Sequence, residues 1–547
     1  MSTETGTGTG TGVDRERGPD RERDPEREAL RAAAATGMTA AHWAARQPDT
    51  PAVVSPHGDR TFAELNANAN RLVRAVRRRG VAAGGGLALM VANRPEFAEV
   101  VAAAQRAGLR LTPINWHLTA DEVAYIVGNC EATVFVADAR FGAVAAAAAE
   151  RVPGATVRLA VGGEVAGFEP YDAAVAAEEG HDVDDPVLGN SMLYTSGTTG
   201  RPKGVHRTEA PAATLTGALF GYLPGETLHL CTGPLYHAAP LAFSLAMPLT
   251  SGVGVVLMDG WSPAETLALI ARHGITHSHM VPTMFHRLLA LPEDVKASAD
   301  LSSLRLVMHG AAPCPVAVKR AIIDWWGPVL VEYYAATEGV GTFVTSQEWL
   351  TRPGTVGKPA TPDHIRVLDP ATGEDLPPGQ VGTLYLKAPR VGRFDYFGDP
   401  GKTAGTYRGD YFTMGDVGYL DEDGYVFLTD RSADLIITGG VNVYPAEVEA
   451  ELLGHPAVGD AAVIGVPDDE WGEVVVAVVE PRAGVAADDA LADELVEHCR
   501  AHLARFKCPR RVDFVDHLPR TDSGKLYKRR LRDEYRARVA GGGPAPA

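Results

Sequence analysis

The chain has 547 residues, of which 45% are hydrophobic and 22% charged, with a net charge of −18 at pH 7. These are globular values, and the length predicts two or more domains. The acidic balance excludes a nucleic-acid-binding protein. From Ala501 onwards, however, twelve Lys and Arg stand against five Asp and Glu. That basic end either faces a polyanion or is an ordinary solvated surface.

Both ends of the chain have a low-complexity composition. Thr-Gly repeats lead into Asp-Arg-Glu repeats over residues 1–36, without the apolar core of a signal peptide. We expect a disordered arm there and a disordered tail over 541–547. The five cysteines lack metal-ligand spacing, which favours reduced thiols and a cytoplasmic location.

Helical and strand patterns alternate over most of the length. Thr61 and Glu64 form a capping-box pattern that predicts a helix through about Arg79. Short apolar runs predict buried strands at 87–91, 133–136, 253–258, 304–308 and 329–331. Residues 227–258 carry no charge, but glycines and prolines interrupt them, so we expect a core segment beside a substrate pocket and no transmembrane segment.

The pattern changes towards the C-terminus. Residues 370–430 read as turn-rich strands, and a compact unit follows with helices at 445–453 and 488–504 and strands at 460–465, 473–480 and 511–515. The predicted fold is α/β. A large N-terminal domain (37–431) combines layered α/β subdomains with a β-rich subdomain, and a small mobile α+β domain covers 432–540.

The segment from Tyr194 to Gly204 reads YTSGTTGRPKG and is the most informative in the chain. Its glycines allow close backbone approach to an anion, and its hydroxyls and Lys203 add donors and positive charge. These features predict a polyphosphate-binding loop rather than a flexible surface loop. The glycine and lysine spacing differs from that of a P-loop.

Further motifs follow in order: HGAAP from His309, YYAATEG from Tyr333, YFTMGD from Tyr411 and LPRTDSGK from Leu518. Together with the phosphate loop they resemble the motifs of the adenylate-forming superfamily, over roughly residues 38 to 538. The pattern is most similar to stand-alone acyl-CoA synthetases. The resemblance implies ATP-dependent adenylation of a carboxylic acid with release of pyrophosphate, followed by transfer of the acyl group to coenzyme A.

The resemblance also implies roles for individual residues. The ATP phosphates would contact Thr195, Ser196, Gly197, Thr198, Thr199, Gly200 and Lys203. Adenine and ribose would contact Gly310, Ala311, Ala312, Tyr334, Asp416 and Arg431. Thr337 would touch the α-phosphate, Glu338 would hold Mg²⁺, and Lys525 would bridge the carboxylate and the α-phosphate as the catalytic lysine.

The resemblance places the acid and the thiol as well. His237 would gate the acyl pocket, bordered by Ala238, Met258, Thr283 and His309. Coenzyme A would contact Gly439, Gly440, Trp471, Phe506, Lys507 and Arg510. A structural role stays open for His237 and for the turn at His309. The hinge position, usually Lys or Asp in the superfamily, is Ala433.

Three questions stay open from the sequence. The acceptor is coenzyme A, an amine or the thiol of a carrier protein acting in trans, and the acid is alkyl, aryl or inorganic, including nitrite for diazotisation of an aryl amine. A non-catalytic nucleotide-binding regulator is a third class, disfavoured by the intact motif residues. The partner is a small-molecule acid, and a homodimer is left open.

Overall fold

The computed structural model describes residues 25–195, 202–207, 217–431, 434–438, 441–468, 471–520 and 526–540. Strands in these ranges are β1 Pro51–Val54, β2 Arg60–Thr61, β3 Gly86–Met90, β4 Arg110–Pro113, β5 Ala132–Asp138, β6 Val157–Val161, β7 Glu169–Pro170, β8 Asn190–Ser191, β9 Leu193–Thr195, β10 Lys203–Arg207, β11 Leu228–Cys231, β12 Gly254–Leu257, β13 His277–Met280, β14 Leu306–His309, β15 Leu330–Ala336, β16 Gly339–Thr345, β17 Ile365–Leu368, β18 Gly382–Lys387, β19 Phe394–Tyr396, β20 Tyr407–Arg408, β21 Tyr411–Phe412, β22 Asp416–Leu420, β23 Val426–Arg431, β24 Ile436–Thr438, β25 Val441–Val443, β26 Val458–Asp468, β27 Gly472–Pro481 and β28 Arg511–Phe514.

Helices pack against these strands. They are α1 Pro25–Ala35, α2 Thr39–Ala44, α3 Phe62–Arg78, α4 Pro95–Ala107, α5 Ala120–Asn129, α6 Gly142–Glu150, α7 Tyr171–Ala176, α8 Met247–Thr250, α9 Pro263–His273, α10 Pro282–Leu289, α11 Glu293–Ser298, α12 Val316–Trp326, α13 Ser346–Thr351, α14 Pro400–Thr406, α15 Pro445–Leu453, α16 Asp489–His502 and α17 Lys528–Ala540. A π-helix, Pro240–Ala246, precedes α8.

Two largely parallel sheets form the layered part of the chain. One has the order β16-β15-β14-β13-β11-β12-β1-β2, in which the six strands from β15 to β1 are parallel. The other has the order β7-β6-β5-β3-β4-β8, with every pairing parallel. The central strands β3, β5, β11 and β12 are mostly apolar and buried, as parallel strands covered on both faces require.

Two smaller sheets and a separate C-terminal unit complete the fold. Strands β9, β10 and β19 form a three-stranded sheet, and β17, β18 and β20 to β23 form a turn-rich antiparallel sheet. In the C-terminal unit, β24 to β28 form one sheet whose two faces bury separate apolar clusters, against α15 and α16 on one side and α17 on the other.

Most predicted elements are confirmed, with shifted ends. Thr61 and Glu64 form both hydrogen bonds of the capping box at the start of α3, and α15 begins and ends where the pattern predicted. The prediction of a disordered arm was wrong for residues 25–35, which form α1, with Glu26 paired to Arg46 at 3.1 Å. The other low-complexity residues, 1–24 and 541–547, lie outside the described ranges.

The charge-free segment 227–258 folds as a core segment. It forms β11, the π-helix, α8 and β12, and its two strands pair within the eight-stranded sheet. Across the described ranges, no helix is long and apolar enough to cross a membrane.

A buried ion pair lies within the eight-stranded sheet region. Lys319 of α12 is fully enclosed, and its Nζ lies 2.6 Å from Oε2 of Glu332 on β15. The same Nζ lies 4.7 Å from the centre of the Trp349 ring. Each buried charge compensates the desolvation cost of the other, and either one alone would lack that compensation.

Candidate active site

A cavity of about 1790 Å³ opens at the carboxyl ends of neighbouring parallel strands. Thr232, Met280, Ala311 and Thr337, at or just beyond the ends of β11, β13, β14 and β15, border it. Open parallel sheets bind ligands at this edge. The facing wall comes from the C-terminal unit, with residues near β24, β26 and β27 and the first turns of α17.

The predicted phosphate loop connects two paired strands. Lys203 at the start of β10 pairs with Thr195 at the end of β9, and both residues border the cavity. Strands β9 and β10, named here the phosphate-loop hairpin, therefore present the ends that flank the loop to the cavity. The loop residues Ser196, Gly197, Thr198, Thr199 and Gly200 lie outside the described ranges.

A second lysine accompanies Lys203 at the cavity wall. Burial, together with the adjacent ammonium of Lys402, lowers the pKa of Lys203 to about 8, although Asp399 and Glu338 act in the opposite direction. The Nζ of Lys203 also lies 5.7 Å from the ring centre of Tyr396. Lys402, on α14, was not singled out from the sequence, because its neighbourhood carries no phosphate-loop pattern.

The turn after β15 holds Thr337 and Glu338 at the cavity. The Tyr396 hydroxyl donates to Oε1 of Glu338 at 3.0 Å. Arg207 of β10 donates to the backbone carbonyls of Thr337 at 3.0 Å and Glu338 at 2.8 Å. These contacts fix the turn relative to the phosphate-loop hairpin.

The predicted nucleotide residues Tyr334 and Asp416 are in direct contact. Both are buried, and the Tyr334 hydroxyl donates to Oδ2 of Asp416 at 2.7 Å. Gly341 leaves room for the Tyr334 ring, because a Cβ there would lie 2.7 Å from Cδ1 of that ring. Arg431 pairs with Asp416 in the β22–β23 ladder, and its side chain is outside the description.

The turn predicted to contact adenine follows β14. Gly310 lies against Tyr333, since a Cβ at Gly310 would lie 2.6 Å from the Tyr333 carbonyl oxygen. Ala311 borders the cavity with φ of +66°, in the left-handed region that costs a residue other than glycine conformational energy. Ala312 is half-buried beside it.

The structure brings only some residues of the predicted acyl pocket to the cavity. His237 and Ala238 border the cavity, and the His237 ring centre lies 4.4 Å from that of Tyr236. Met258, Thr283 and His309 do not border the cavity.

Strand geometry explains why His309 lies away from the cavity. Successive side chains on β14 point to opposite faces of the sheet, and His309 faces α10, with its ring centre 5.2 Å from that of Phe285. Complete burial holds the pKa of His309 well below its usual range. Met258 is buried in the core, where Thr266 Oγ1 lies 3.7 Å from its sulfur.

A polar pair that we did not predict borders the same cavity. His279 on β13 and Tyr333 on β15 are both buried, and His279 Nε2 lies 2.9 Å from the Tyr333 hydroxyl oxygen. Phe243 of the π-helix lies beside both rings. The alternation of His277 and His279 within a short buried strand was the available signal.

Comparison with known proteins decides the family. The model of the AMP-binding enzymes matches residues 40–394, and that of their C-terminal domain matches residues 447–525. The chain belongs to the AMP-binding enzyme family. It is 36% identical over 480 residues to a feruloyl-CoA synthase of an Amycolatopsis species, covering 87% of this chain and 94% of the relative.

Solved structures of AMP-binding enzymes share the fold. An anthranilate CoA ligase, AuaEII, in complex with anthranoyl-AMP has a TM-score of 0.83 at 25% identity, covering 92% of this chain and 98% of that one. The amide bond synthetase McbA of Marinactinospora thermotolerans has a TM-score of 0.77 at 30% identity, covering 91% and 100%. The predicted superfamily, the α/β fold and the AMP-forming acid–CoA ligase activity are confirmed.

The AMP-binding C-terminal domain brings two of the predicted coenzyme A residues together. The Arg510 guanidinium lies 4.3 Å from the ring centre of Trp471, whose side chain is exposed. Lys507 lies 5.9 Å from the Phe506 ring centre, and its Nζ lies 2.6 Å from Oε1 of Glu447. Gly439 and Gly440 lie outside the described ranges, as do Ala433 and Lys525.

The basic C-terminal end of the chain faces the cavity. Lys528, Arg529, Arg530, Arg532 and Arg536 of α17 all border it. All five also pair with acids of the C-terminal unit. The N···O distances are 2.8 Å from Lys528 to Glu449, 3.6 Å from Arg529 to Asp533, 2.9 Å from Arg530 to Glu534, 2.8 Å from Arg532 to Asp434 and 4.0 Å from Arg536 to Glu473. The basic end therefore borders the cavity with its charges paired to acids, and both readings of it stay open.

Proposed function

We propose that the cavity binds ATP and a carboxylic acid together, forms an acyl adenylate, and then passes the acyl group to coenzyme A. One observation carries this assignment. The phosphate-loop hairpin, the Thr337–Glu338 turn and an acyl pocket beginning at His237 border the same cavity. An acid placed there meets the α-phosphate, and positioning of the two reactants supplies much of the rate enhancement.

The cations define the phosphate end of the cavity. Lys203 and Lys402 repel each other in the absence of an anion, and a polyphosphate between them relieves that repulsion. We assign Lys203 and Lys402 to the β- and γ-phosphates, which leave as pyrophosphate. The carboxylate oxygen attacks the α-phosphorus, and the bond from that phosphorus to the β-phosphate oxygen breaks.

Glu338 provides a fitting ligand for Mg²⁺. Its carboxylate borders the cavity close to Lys203, and Mg²⁺ prefers a site with one or two carboxylates completed by phosphate and water oxygens. When bound, the ion neutralises negative charge on the phosphates. Tyr396 and Arg207 position Glu338 and its backbone for this role.

Two further residues act at the reacting centre. Lys525 stabilises the negative charge that develops on the carboxylate and α-phosphate oxygens during attack, and Thr337 donates to the α-phosphate. His237 covers the entrance of the acyl pocket. Rotation of the C-terminal domain about the segment at 432–433 withdraws Lys525 and brings Gly439 and Gly440 to the pantetheine of coenzyme A, while Trp471, Phe506, Lys507 and Arg510 contact its nucleotide end.

Pyrophosphate release across a panel of alkyl, aryl and inorganic acids, with and without coenzyme A, tests this proposal. We expect acid-dependent pyrophosphate release, and a thioester detected by mass spectrometry only when coenzyme A is present. Absence of pyrophosphate with every acid contradicts adenylation and favours a nucleotide-binding regulator.

The resemblance to an amide bond synthetase gives a second candidate acceptor. McbA shares the whole fold with this chain at 30% identity, which supports an amine as the alternative nucleophile. Parallel reactions with coenzyme A, simple amines, an aryl amine with nitrite, and a carrier protein separate these possibilities. A thioester-free product that requires the amine would replace the proposed second step and leave adenylation intact.

A further inference from the structure

The wall of the acyl pocket combines apolar surface with a hydrogen-bonded polar pair. Phe243, Met280, Val281 and Met284 give it hydrocarbon and aromatic surface. Among them, His279 and Tyr333 are joined at 2.9 Å between Nε2 and the hydroxyl oxygen. Buried polar groups cost stability unless they are hydrogen-bonded, and each member of this pair meets that requirement for the other.

The pair keeps hydrogen-bonding capacity for a ligand. If Nε2 donates to the Tyr333 oxygen, the hydroxyl hydrogen can be donated into the cavity; if the hydroxyl donates to Nε2, the oxygen keeps lone pairs that accept. The neutral imidazole can adopt either tautomer. Tyr333 can therefore offer a donor or an acceptor to the same neighbour.

The pair is also uncharged. Burial lowers the pKa of His279 to about 3, so the ring is neutral at physiological pH. Burial likewise raises the pKa of the Tyr333 hydroxyl. An uncharged pair can hydrogen-bond a neutral polar group of the acid substrate. It gives no compensating charge for a second carboxylate on that substrate.

Aromatic surface surrounds the pair. The Phe243 ring centre lies 4.9 Å from that of Tyr333 and 5.8 Å from that of His279, with an interplanar angle of 24° to the imidazole. Phe243 is placed here by the π-helix Pro240–Ala246, an irregularity often found at functional sites. A pocket wall made of aromatic rings favours an aromatic ligand, which can contact those rings in an offset or edge-to-face arrangement.

We infer that the acid substrate is an aromatic acid whose ring carries a hydroxyl or amino group, and that Tyr333 and His279 select it by hydrogen-bonding that substituent. This inference rests on the proposed adenylation. It adds a residue pair that determines substrate class.

Matched pairs of acids test the inference in the wild-type enzyme. Benzoic acid is compared with 3- and 4-hydroxybenzoic and aminobenzoic acids, and cinnamic acid with its 3- and 4-hydroxy derivatives, by pyrophosphate release. We expect kcat/KM at least about ten-fold higher for a hydroxylated or aminated member, because a site built to hydrogen-bond a substituent rejects the analogue without it.

The variant Tyr333→Phe removes the hydroxyl alone. We expect kcat/KM for the preferred acid to fall about ten- to one-hundred-fold, while kcat/KM for the unsubstituted analogue changes less than about three-fold. Tyr222→Phe is the matched control, since Tyr222 is a buried tyrosine bonded at 2.8 Å to Nδ1 of His229 and does not border the cavity. It should leave the preference between the two acids unchanged.

The outcomes separate the two levels of inference. Adenylation of unsubstituted or alkyl acids at equal or higher kcat/KM overturns the substrate class and leaves the proposed function standing. An equal loss for both members of an acid pair in Tyr333→Phe overturns the role of the hydroxyl. Absence of pyrophosphate with all acids overturns the proposed function itself. Melting curves identify a variant that fails to fold. In that case the preference of the wild-type enzyme between the paired acids is the test of the substrate class.

Discussion

Replacing Lys402 with glutamine gives a test in which two effects have opposite signs. Lys402 borders the cavity beside Lys203, and its charge contributes to the lowered pKa of Lys203. Loss of the cation weakens the attraction for the phosphates. The same loss raises the pKa of Lys203, which keeps its positive charge to higher pH.

The lowered pKa of Lys203 sets the scale of the second effect. The difference between 10.5 and about 8 corresponds to roughly 3 kcal/mol at 1.36 kcal/mol per pKa unit. Solvent screening in an open cavity reduces this to on the order of 1 to 2 kcal/mol. Burial is the largest cause of the lowered pKa, so removal of Lys402 reverses only part of the shift. We expect the pKa of Lys203 to rise by about half a unit to one unit.

Steady-state pyrophosphate release at varied ATP concentration and pH measures both effects. In the wild type, kcat/KM for ATP should fall as pH rises through about 8, because Lys203 then loses its proton. In Lys402→Gln, KM for ATP at pH 7 should rise about five- to thirty-fold, since a charged hydrogen bond contributes about 1 to 2 kcal/mol. The midpoint of its alkaline limb should move upwards by about half a pH unit to one unit.

Lys387→Gln is the control, because Lys387 is an exposed lysine paired with Asp363 and does not border the cavity. It should change neither KM nor the pH profile. An alkaline limb that stays in place or moves downwards in Lys402→Gln would refute the coupling between the two lysines.

Three further variants test the site and the core. Lys525→Ala should lower adenylation about one-hundred- to one-thousand-fold and spare thioester formation from supplied acyl adenylate; near-normal pyrophosphate release would contradict its role. Glu338→Gln should raise the Mg²⁺ concentration needed for half-maximal turnover, and an unchanged Mg²⁺ titration would argue against it as a ligand. Lys319→Met should lower the free energy of unfolding by about 3 to 5 kcal/mol in denaturant titrations, because Glu332 stays buried without its partner. Lys387→Met, its exposed counterpart, should cost less than about 1 kcal/mol.

Local sequence patterns predicted much of the fold. The capping box at Thr61 and the apolar runs of β3, β5 and β14 are local signals, and the structure follows them within a few residues. The order of strands in the eight-stranded sheet was not predictable, because parallel pairing depends on contacts between distant segments. The composition of residues 25–35 suggested disorder, but packing beside α2 gives them a helix.

The site was predictable where a short motif carries the chemistry. Thr195, Lys203, Thr337 and Glu338 stand in such motifs, and the fold brings them to one cavity. Lys402 and Arg207 were missed, because their roles arise from tertiary contacts with no local pattern.

Side-chain direction limited the prediction of the acyl pocket. His309 ends a strand whose neighbours border the cavity, but its own side chain faces the opposite side of the sheet. Tyr333 and His279 were overlooked for the converse reason, since a buried polar residue reads as core until its neighbours are known.

The bond between Tyr334 and Asp416 has a consequence for the predicted role of Asp416 as a ribose ligand. A carboxylate held at 2.7 Å by a buried phenol has already lost its rotational freedom before ligand arrives. Ordering such a side chain during binding would cost about 0.5 to 1.5 kcal/mol. Here the side chain is already ordered in the folded protein, so binding does not carry that entropic cost. On the predicted role of Asp416 at the ribose, the stability of the protein and its affinity for ATP would be coupled through one hydroxyl group.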